Sequence, residues 1–475
     1  MKAAASDVAH SCQNEFERME LNAKRVLVVG LGKSGIAAAH FLQSRGARVT
    51  VSDSKAEAQL RGEIPALLEK GIIVETGGHG ERTFRDQELI IISPGVPYDV
   101  PQLVQARQLG VPVIGEVELA SRFLQGKIVA ITGSNGKTTT TTLTGEILEH
   151  DGKEVLVGGN IGRPVIAMAP ESKPETWNVL EISSFQLETI EKFKPHIAAI
   201  LNITADHLDR HRSMEAYITA KARIFENQAD DDFAVLNADD AVCADLGKAL
   251  KRSRVAWFSR KRADLQSGAS VRAEKIFFRG AAKEMEIMPV SEIPLKGAHN
   301  LENVLAAVCI AALAGCAPER IREAVRNFKA VEHRLEFVAT IHGVQYYNDS
   351  KATNVDATIK AIESFPANLH LVLGGKDKGS DYSVLKDLLR ERVKRVYTIG
   401  AAAEKIESQI AGAVPIERSG TLEAAVQRAA ELAESGDVVV LAPACASFDQ
   451  FENYEHRGRV FKQAVATLAR RAGAA

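Results

Sequence analysis

The stretch from Lys127 to Thr142, KIVAITGSNGKTTTTT, constrains the chain more than any other. A short β-type run breaks into a Gly/Ser/Asn turn and then into a Lys-Thr-led segment that can wind into helix. Small residues at Gly133, Ser134 and Gly136 let backbone N–H groups close on an anion, and the N-terminus of the following helix adds partial positive charge. Lys137 supplies a full charge, and the Thr138 hydroxyl can reach a phosphate-bound Mg²⁺. The usual phosphate-loop spacing asks for a glycine where this chain has Ile131, so the pattern is a shortened GxxGK[ST]. The alternative is a strand-turn-helix corner whose threonines merely cap a helix; Lys137 directly after the glycine argues for the phosphate cradle.

At 475 residues the chain is too long for one core, and at ~150 residues per domain it implies about three. With 45% apolar residues, 25% charged residues and a formal net charge of −2, bulk charge recruits neither nucleic acid nor an acidic membrane. Any anionic ligand must then be held by a local site. The five cysteines, Cys12, Cys243, Cys309, Cys316 and Cys445, form no CxxC pair, as expected of free thiols in a reducing cytoplasm. The first residues have no apolar core of signal-peptide length, and the apolar stretch from Leu301 to Ala317 is interrupted by Glu302 and Asn303. Neither export nor a membrane span is expected.

Residues 1–21 lack periodicity and read as a mobile tail. RVLVVGLGKSGIAAAHFLQSRGARVTVSD then reads as strand, glycine turn, helix, strand. Gly30, Gly32 and Gly35 fit GxGxxG, and Asp53 stands where a Rossmann site places its ribose-binding acid. Such glycines serve equally for close helix-strand packing. Further β/α pattern closes a first doubly wound domain at about residue 115. The second unit, 116–330, opens with the phosphate loop and continues through VLVGGNIG, WNVLEISSFQLE and IAAILNITADHLDRH. Ligands of open α/β sheets sit at the carboxyl ends of strands, so Asn160, Glu181, Ser183, Gln186, Asp206 and His207 should converge with Lys137 and Thr138. A third α/β unit, 331–475, follows, with YYNDS, LHLVLGG, RVYTIG and DVVVLAPA as its strands.

Individual residues leave alternatives open. Glu181 is a metal ligand or a solvated strand end, and His207 lies near phosphate and metal or is a satisfied structural histidine. His207 and His211 are spaced like a zinc pair, but no HExxH glutamate intervenes and the cysteines are scattered. Mg²⁺ prefers oxygen ligands, and Thr138 with Glu181 can supply them. Arg334 makes a forked phosphate contact or a surface ion pair. Asp349, Ser350 and Lys351 end a strand and offer charge to a nucleotide, and the glycines beside Lys376 and Lys378 suggest an anion-binding turn. From pattern alone Lys221 is a solvated helix lysine, and Cys445 has no histidine partner that would make it a nucleophile.

Taken in order, GSNGKTT, GGNIG, LEISSFQLE, ADHLDRH, GAHNLEN, EHRLE, NDSKATN, LGGKDKGSD and APACASFDQFENYEHRG resemble the Mur ligase family. The likeness spans about Lys24 to Arg459 and is nearest to the branch that adds D-glutamate to UDP-N-acetylmuramoyl-L-alanine. It implies three α/β domains: a Rossmann-like N-terminal domain for UDP, a central phosphate-loop ATPase domain and a Rossmann-like C-terminal domain for the amino acid. It also implies an ATP-dependent, cytoplasmic ligase of peptidoglycan precursor synthesis, a monomer without nucleic acid or membrane partners. By the same resemblance Gly133, Ser134, Asn135, Gly136, Lys137, Thr138 and Thr139 cradle ATP, with Asn303, Arg334 and Asp349 as further contacts. Thr138, Glu181, His207 and Lys221, the last as a CO₂-derived carbamate, would hold two Mg²⁺ ions. Lys137, Lys221, His207 and Glu181 form the expected catalytic set.

Gly32, Lys33, Ser34, Asp53, Asn160 and Ser183 would meet the UDP-linked substrate; Lys351, Thr353, Lys378, Ser447 and Tyr454 would surround D-glutamate. Tyr454 replaces the phenylalanine expected there, and Lys33-Ser34 replaces an apolar-Thr pair. The implied reaction is carboxylate attack on the γ-phosphate, an acyl phosphate, and amine attack upon it, with the third domain closing about a hinge near Ala330. Rival readings are a sister or folylpolyglutamate-type ligase, an NAD-dependent oxidoreductase built on Gly30 to Asp53, and an idle nucleotide-binding scaffold.

Overall fold

A computed structural model describes residues 19–281, 283–295, 297–329 and 331–473. The expected tail at 1–21 falls almost wholly outside the described residues, as do Cys12 and the expected hinge residue Ala330. The chain divides into two compact units. The first comprises Met1–Gln125, described from residue 19, with Arg163–Lys173 and Thr189–Phe193. Its strands are β1 (Arg25–Val29), β2 (Arg48–Asp53), β3 (Ile73–Thr76), β4 (Leu89–Ile92) and β5 (Val113–Gly115), in the order β3-β2-β1-β4-β5. All neighbours run parallel, the order of a doubly wound sheet.

The two later segments join this unit through buried carboxylates. Glu118, fully buried in the helix Glu116–Ser121, accepts backbone N–H bonds from Glu191 (2.8 Å), Lys192 (3.0 Å) and Phe193 (2.9 Å) and pairs with Arg122. Glu116 accepts the Ile166 N–H at 2.6 Å. Apolar packing alone could not dictate where returning chain docks; buried carboxyl acceptors satisfying otherwise orphan amides give these segments a register.

The second unit carries two sheets. One holds β6 (Lys127–Thr132), β7 (Val155–Gly159), β8 (Trp177–Glu181), β9 (Ile197–Ile200), β10 (Phe233–Asn237), β11 (Arg254–Ser259), β12 (Gly268–Arg272), β13 (Lys275–Arg279) and β14 (Glu284–Pro289). Their order is β14-β13-β12-β11-β10-β9-β6-β8-β7, parallel from β7 through β12 and antiparallel beyond. The other holds β15 (Glu336–Ile341), β16 (Val344–Asn348), β17 (Leu369–Gly374), β18 (Val393–Ile399), β19 (Ile416–Gly420) and β20 (Val438–Leu441), ordered β15-β16-β20-β17-β18-β19 with only β15 antiparallel.

Central strands β6, β8 and β9 are buried on both faces, which is why they read as unbroken apolar runs rather than alternating ones. Val129, Ile131, Val179 and Ile197 pack with Leu143 and Ile147 of the helix Lys137–His150 and with the apolar face of Ala298–Leu313. The first of these helices opens on five consecutive threonines, poor helix formers because their χ1 freedom is lost against the preceding turn. Burial of Thr138 to Thr141 and Leu143 overrides that preference. Among the described residues no helix is long and apolar enough to cross a membrane. Cys243, Cys309, Cys316 and Cys445 are buried free thiols.

One backbone position sets the far edge of the site. Gly159 ends β7 opposite Glu181 with φ +106°, and an added Cβ would stand 2.3 Å from the Glu181 carbonyl oxygen. Gly159→Ala should lower unfolding free energy by about 1–3 kcal/mol, the usual cost of a side chain in such a conformation, measured as a shift in the urea midpoint at constant m-value. An unchanged midpoint would show that the β7–β8 pairing tolerates a Cβ there.

Candidate functional site

The loop Gly133–Gly136 joins the end of β6 to the helix Lys137–His150 and so sits at the positive end of that helix. Gly136 has φ +85°, and a Cβ on it would come 2.1 Å from the Asn303 side-chain oxygen. The glycine is required by both conformation and space. Asn303 is itself oriented by donation to Asn300 at 3.2 Å. The Lys137 ammonium folds over the loop, donating to the carbonyls of Gly133 and Ser134, each at 2.8 Å. Ser134 accepts the Thr204 N–H and hydrogen-bonds Tyr217, and Asn135 exchanges bonds with Asn202. The cradle is thus braced from the end of β9.

Thr138 is where charge gathers. Its hydroxyl donates to Glu181 Oε2 at 2.8 Å and accepts from Lys351 Nζ at 2.6 Å and Arg334 Nη2 at 3.3 Å. Asn160, at the exposed end of β7, donates to Glu181 Oε1 at 2.8 Å. Burial acts to raise the Glu181 pKa, but Lys351, Lys137 and these hydrogen bonds outweigh it and hold the carboxylate below its ordinary value. The Thr138–Glu181 pair thus supplies hard oxygen donors and already supports a positive charge, the Lys351 ammonium, in contact with it. That donor chemistry fits Mg²⁺.

A second carboxylate, Asp206, lies within the field of Lys137. It accepts from Lys378 at 3.2 Å and Asn354 at 3.0 Å and lies 3.7 Å from His207 Nε2. Burial works against its charge, yet Lys378, His207, Asn354 and Lys137 hold its pKa down. His207 takes a left-handed conformation, φ +55°, as it starts the helix Leu208–His211. That turn separates the two histidines: His207 meets Asp206 and the edge of Phe185, whereas His211 stacks on Phe185, bonds Ser184 at 2.9 Å and lies 3.3 Å from Glu188. They do not form a metal pair.

Lys221 lies 1% exposed, donating to Gly133 O at 2.9 Å beside the Tyr217 ring. A solvated surface lysine, the reading its pattern alone suggests, is thereby corrected. Burial, with Lys137 nearby, drives its pKa well below the ordinary lysine value. Burial likewise lowers Lys351 to about 8 and raises Asp349 to about 7, the latter against the pull of Arg334.

The other named residues fall as follows. Thr139 is buried behind Thr138. Asp349, Arg334, Asn303, Asn135 and Gly136 line one cleft together with His299, Glu302 and Lys360. Asp206, His207, Asn354, Asp356 and Lys378 line another, roomier one. Ser183 is engaged as a cap, its hydroxyl accepting the Gln186 N–H. The Thr353 N–H bonds Lys351 O at 2.8 Å, Ser447 is buried, and the Tyr454 ring lies 4.9 Å beneath Lys351 Nζ. In the first unit Gly32 and Lys33 are exposed and Ser34 half-buried at the start of the helix Lys33–Ser44. Both Asp53 oxygens accept backbone amides, from Leu31 at 2.7 Å and Lys55 at 2.8 Å, so this acid organises the loop itself. Cys445 is buried against the Tyr382 hydroxyl with its pKa pushed up to about 11, unsuited to a nucleophile.

Sequence reasoning missed Asn354 and Asp356. Asp356 accepts from Asn135 (2.5 Å), Thr204 (3.2 Å) and Lys360 (2.8 Å), which ties the phosphate loop to the helix Val355–Glu363. The only available signal was their place just after the NDSKAT run; helix-capping Asn and first-turn Asp look ordinary there.

Three family models match: the Mur ligase MurD-like N-terminal domain over residues 24–115, the Mur ligase middle domain over 131–311, and the Mur ligase glutamate ligase domain over 333–445. The UDP-N-acetylmuramoylalanine--D-glutamate ligase of Koribacter versatilis is 66% identical, covering 95% of this chain and 99% of that protein. The enzyme of the same name from Acidobacterium capsulatum is 63% identical, covering 96% and 99%. Among solved structures, a pseudomurein peptide ligase type C from Methanothermus fervidus superposes with TM-score 0.60 at 20% identity over 94% of this chain and all of that one. UDP-N-acetylmuramate-alanine ligase from Thermotoga maritima gives 0.59 at 20% identity, with coverages of 94% and 99%. The order of the three matched domains, and relatives identical at well over half of all positions along nearly their whole length, establish that the chain belongs to the Mur ligase family.

Proposed function

We propose that this protein joins D-glutamate to UDP-N-acetylmuramoyl-L-alanine at the expense of ATP, forming ADP and phosphate, as a cytoplasmic step of peptidoglycan precursor synthesis. The observation that carries the reading is the convergence on Thr138 of the phosphate-loop helix, Glu181, Arg334 and Lys351. It accompanies 66% identity to a relative bearing that enzyme's name.

The chemistry opposes like charges: a substrate carboxylate must attack the γ-phosphate of a polyanion. Lys137 and Arg334 offset that repulsion, and the loop amides other than those of Ser134 and Asn135, which are bonded to Asn202, add fixed dipoles needing no reorganisation. Two Mg²⁺ ions, when bound, would neutralise phosphate and carboxylate charge; Thr138, Glu181, His207 and a carbamate on Lys221 are the residues to hold them. Lys221 suits that modification because burial shifts its amine towards the neutral form that attack on CO₂ requires. Attack on phosphorus forms the P–O bond of an acyl phosphate and releases ADP. The D-glutamate amine then adds to the acyl carbon and phosphate departs.

Lys351, Lys378, Thr353, Ser447 and Tyr454 are assigned to the amino acid, Lys378 pairing with one of its carboxylates. The cavity beside Asn303, Arg334 and Asp349 is assigned to the nucleotide, and Gly32, Lys33, Ser34, Asp53, Asn160 and Ser183 to the UDP-linked substrate. Asn354, Asp356 and Lys378 bond to Asp206 and the phosphate loop; these contacts support a closed arrangement that keeps water from the acyl phosphate.

Phosphate release assayed with UDP-N-acetylmuramoyl-L-alanine and a panel of D- and L-amino acids should require D-glutamate; equal turnover with another amino acid would assign the chain to a sister ligase. Lys137→Met should lower kcat by about 10²–10³, as for loss of one preorganised electrostatic donor, and retention of wild-type turnover would remove Lys137 from the chemistry. Lys221→Ala should lose a similar factor and regain part of it with added formate or acetate. With ¹³C-bicarbonate the wild type should show a carbamate NMR resonance that the variant lacks; its absence from both would sink the carbamate assignment.

Asp349 offers a pH test. Its folded pKa of about 7 lies above the unfolded value of about 3.8, so the stability it contributes is fully present below pH ~4 and lost as pH rises through ~7. Asp349→Asn mimics the protonated form. It should be more stable than wild type at pH 8, an advantage fading to nothing near pH 4, measured by urea unfolding across that range; an advantage independent of pH would contradict the burial of an ionisable group there.

A further inference from the structure

Arg457 is fully buried, and every one of its hydrogen bonds goes to a neutral acceptor. Nε donates to Ser350 Oγ at 3.0 Å; Nη2 donates to Ser350 O at 2.8 Å and Cys445 O at 3.2 Å. Nη1 donates to Cys445 O at 3.1 Å and more weakly to Ala446 O at 3.5 Å. Burial draws its pKa down to about 10, so the group remains a cation held in the interior by carbonyl dipoles. The Asp449 carboxylate favours the charge from nearby but accepts none of its hydrogen bonds; burying a cation without a directly bonded anion is costly, and a charge used only for support could be replaced by apolar packing. What apolar packing cannot do is fix three chain segments against one rigid planar fork.

Those segments are the ones that carry the amino-acid pocket. Ser350 precedes Lys351, and its hydroxyl also donates to Tyr454 O at 2.8 Å. Cys445 and Ala446 precede Ser447, and Ala446 pairs with Lys376 as an antiparallel bridge beside Lys378. Tyr454 lies one helical turn before Arg457 in the helix Tyr454–Gly473. The fork therefore sits at the root of Lys351, Ser447 and Tyr454 without being one of them.

We propose that Arg457 is a positioning residue for amino-acid recognition, setting the mutual placement of Lys351, Ser447 and Tyr454. This rests on the assignment of those three to D-glutamate. A lysine at 457 keeps the charge and most of the volume but presents a single ammonium that cannot span Ser350 and Cys445 together.

The test is steady-state kinetics of the full-length enzyme with each substrate varied in turn, together with calorimetric affinity for a non-hydrolysable ATP analogue. Arg457→Lys should raise KM for D-glutamate by about tenfold or more, equivalent to ~1.4 kcal/mol. KM for the UDP-linked substrate and affinity for the ATP analogue should stay within about twofold. Ser350→Ala, which removes only the hydroxyl acceptor and its bond to Tyr454, should shift the same constant in the same direction by a smaller factor, and it carries the test if Arg457→Lys fails to fold. Equal loss across all three ligands, or a lowered melting temperature with an unchanged D-glutamate KM, would reduce Arg457 to a structural role and overturn the proposal. A wild-type enzyme showing no D-glutamate-dependent phosphate release would instead overturn the functional reading on which the proposal rests.

Discussion

The structure depends on how a crowd of half-buried basic groups is kept in place around two carboxylates. Lys137 and Lys351 crowd the field of Glu181, with Arg334 bonded to Thr138 beside it, and Lys378 with His207 crowds that of Asp206. In isolation such a cluster would be driven apart or deprotonated, since desolvation penalises each charge. Here each carboxylate is pinned by neutral donors as well, Glu181 by Thr138 and Asn160 and Asp206 by Asn354. The geometry of the positive groups is thereby set before any ligand arrives. A site preloaded with more cations than anions suits a triphosphate and a carboxylate brought together.

That arrangement also links the two sheets of the second unit. The phosphate loop belongs to the sheet containing β6, whereas Arg334, Lys351, Asn354, Asp356 and Lys378 come from segments flanking the sheet containing β16 and β17. Their bonds to Thr138, Asn135 and Asp206 are polar and few. Such contacts exchange readily for bonds to ligand oxygens, which an apolar seam of the same extent would resist. Arg457 does the opposite, committing its donors to Ser350 Oγ and to backbone carbonyls of separate turns in the interior.

Much of this was legible beforehand because some residues advertise a single use. The GSNGKT run specifies a strand, a left-handed turn and a helix N-terminus, and its lysine leaves little choice of ligand. Runs such as IAAI and LIII announce strands covered on both faces. Lys221 shows the opposite case: a lysine among alanines on a short helix is indistinguishable from a solvated one until the fold places it behind the phosphate loop. Asp53 was legible as a site acid by position, yet its two oxygens serve the Leu31 and Lys55 amides, a use that local sequence cannot distinguish from ribose binding. Asp356 stands just after one quoted motif and Arg457 within another, yet nothing local told their use, because their partners, Asn135 for the one and Ser350 for the other, lie more than a hundred positions away.

The sequence by itself determined the succession of α/β elements, the phosphate cradle and the family to which the chain belongs, because these follow from short-range patterns of glycine, apolar residues and charge. Tertiary structure alone decided which cations are desolvated, which carboxylates stay ionised and which side chains brace others. Those outcomes depend on distances between residues remote in the chain, and a pKa or a buried hydrogen bond has no value until the dielectric and the partners around it are set.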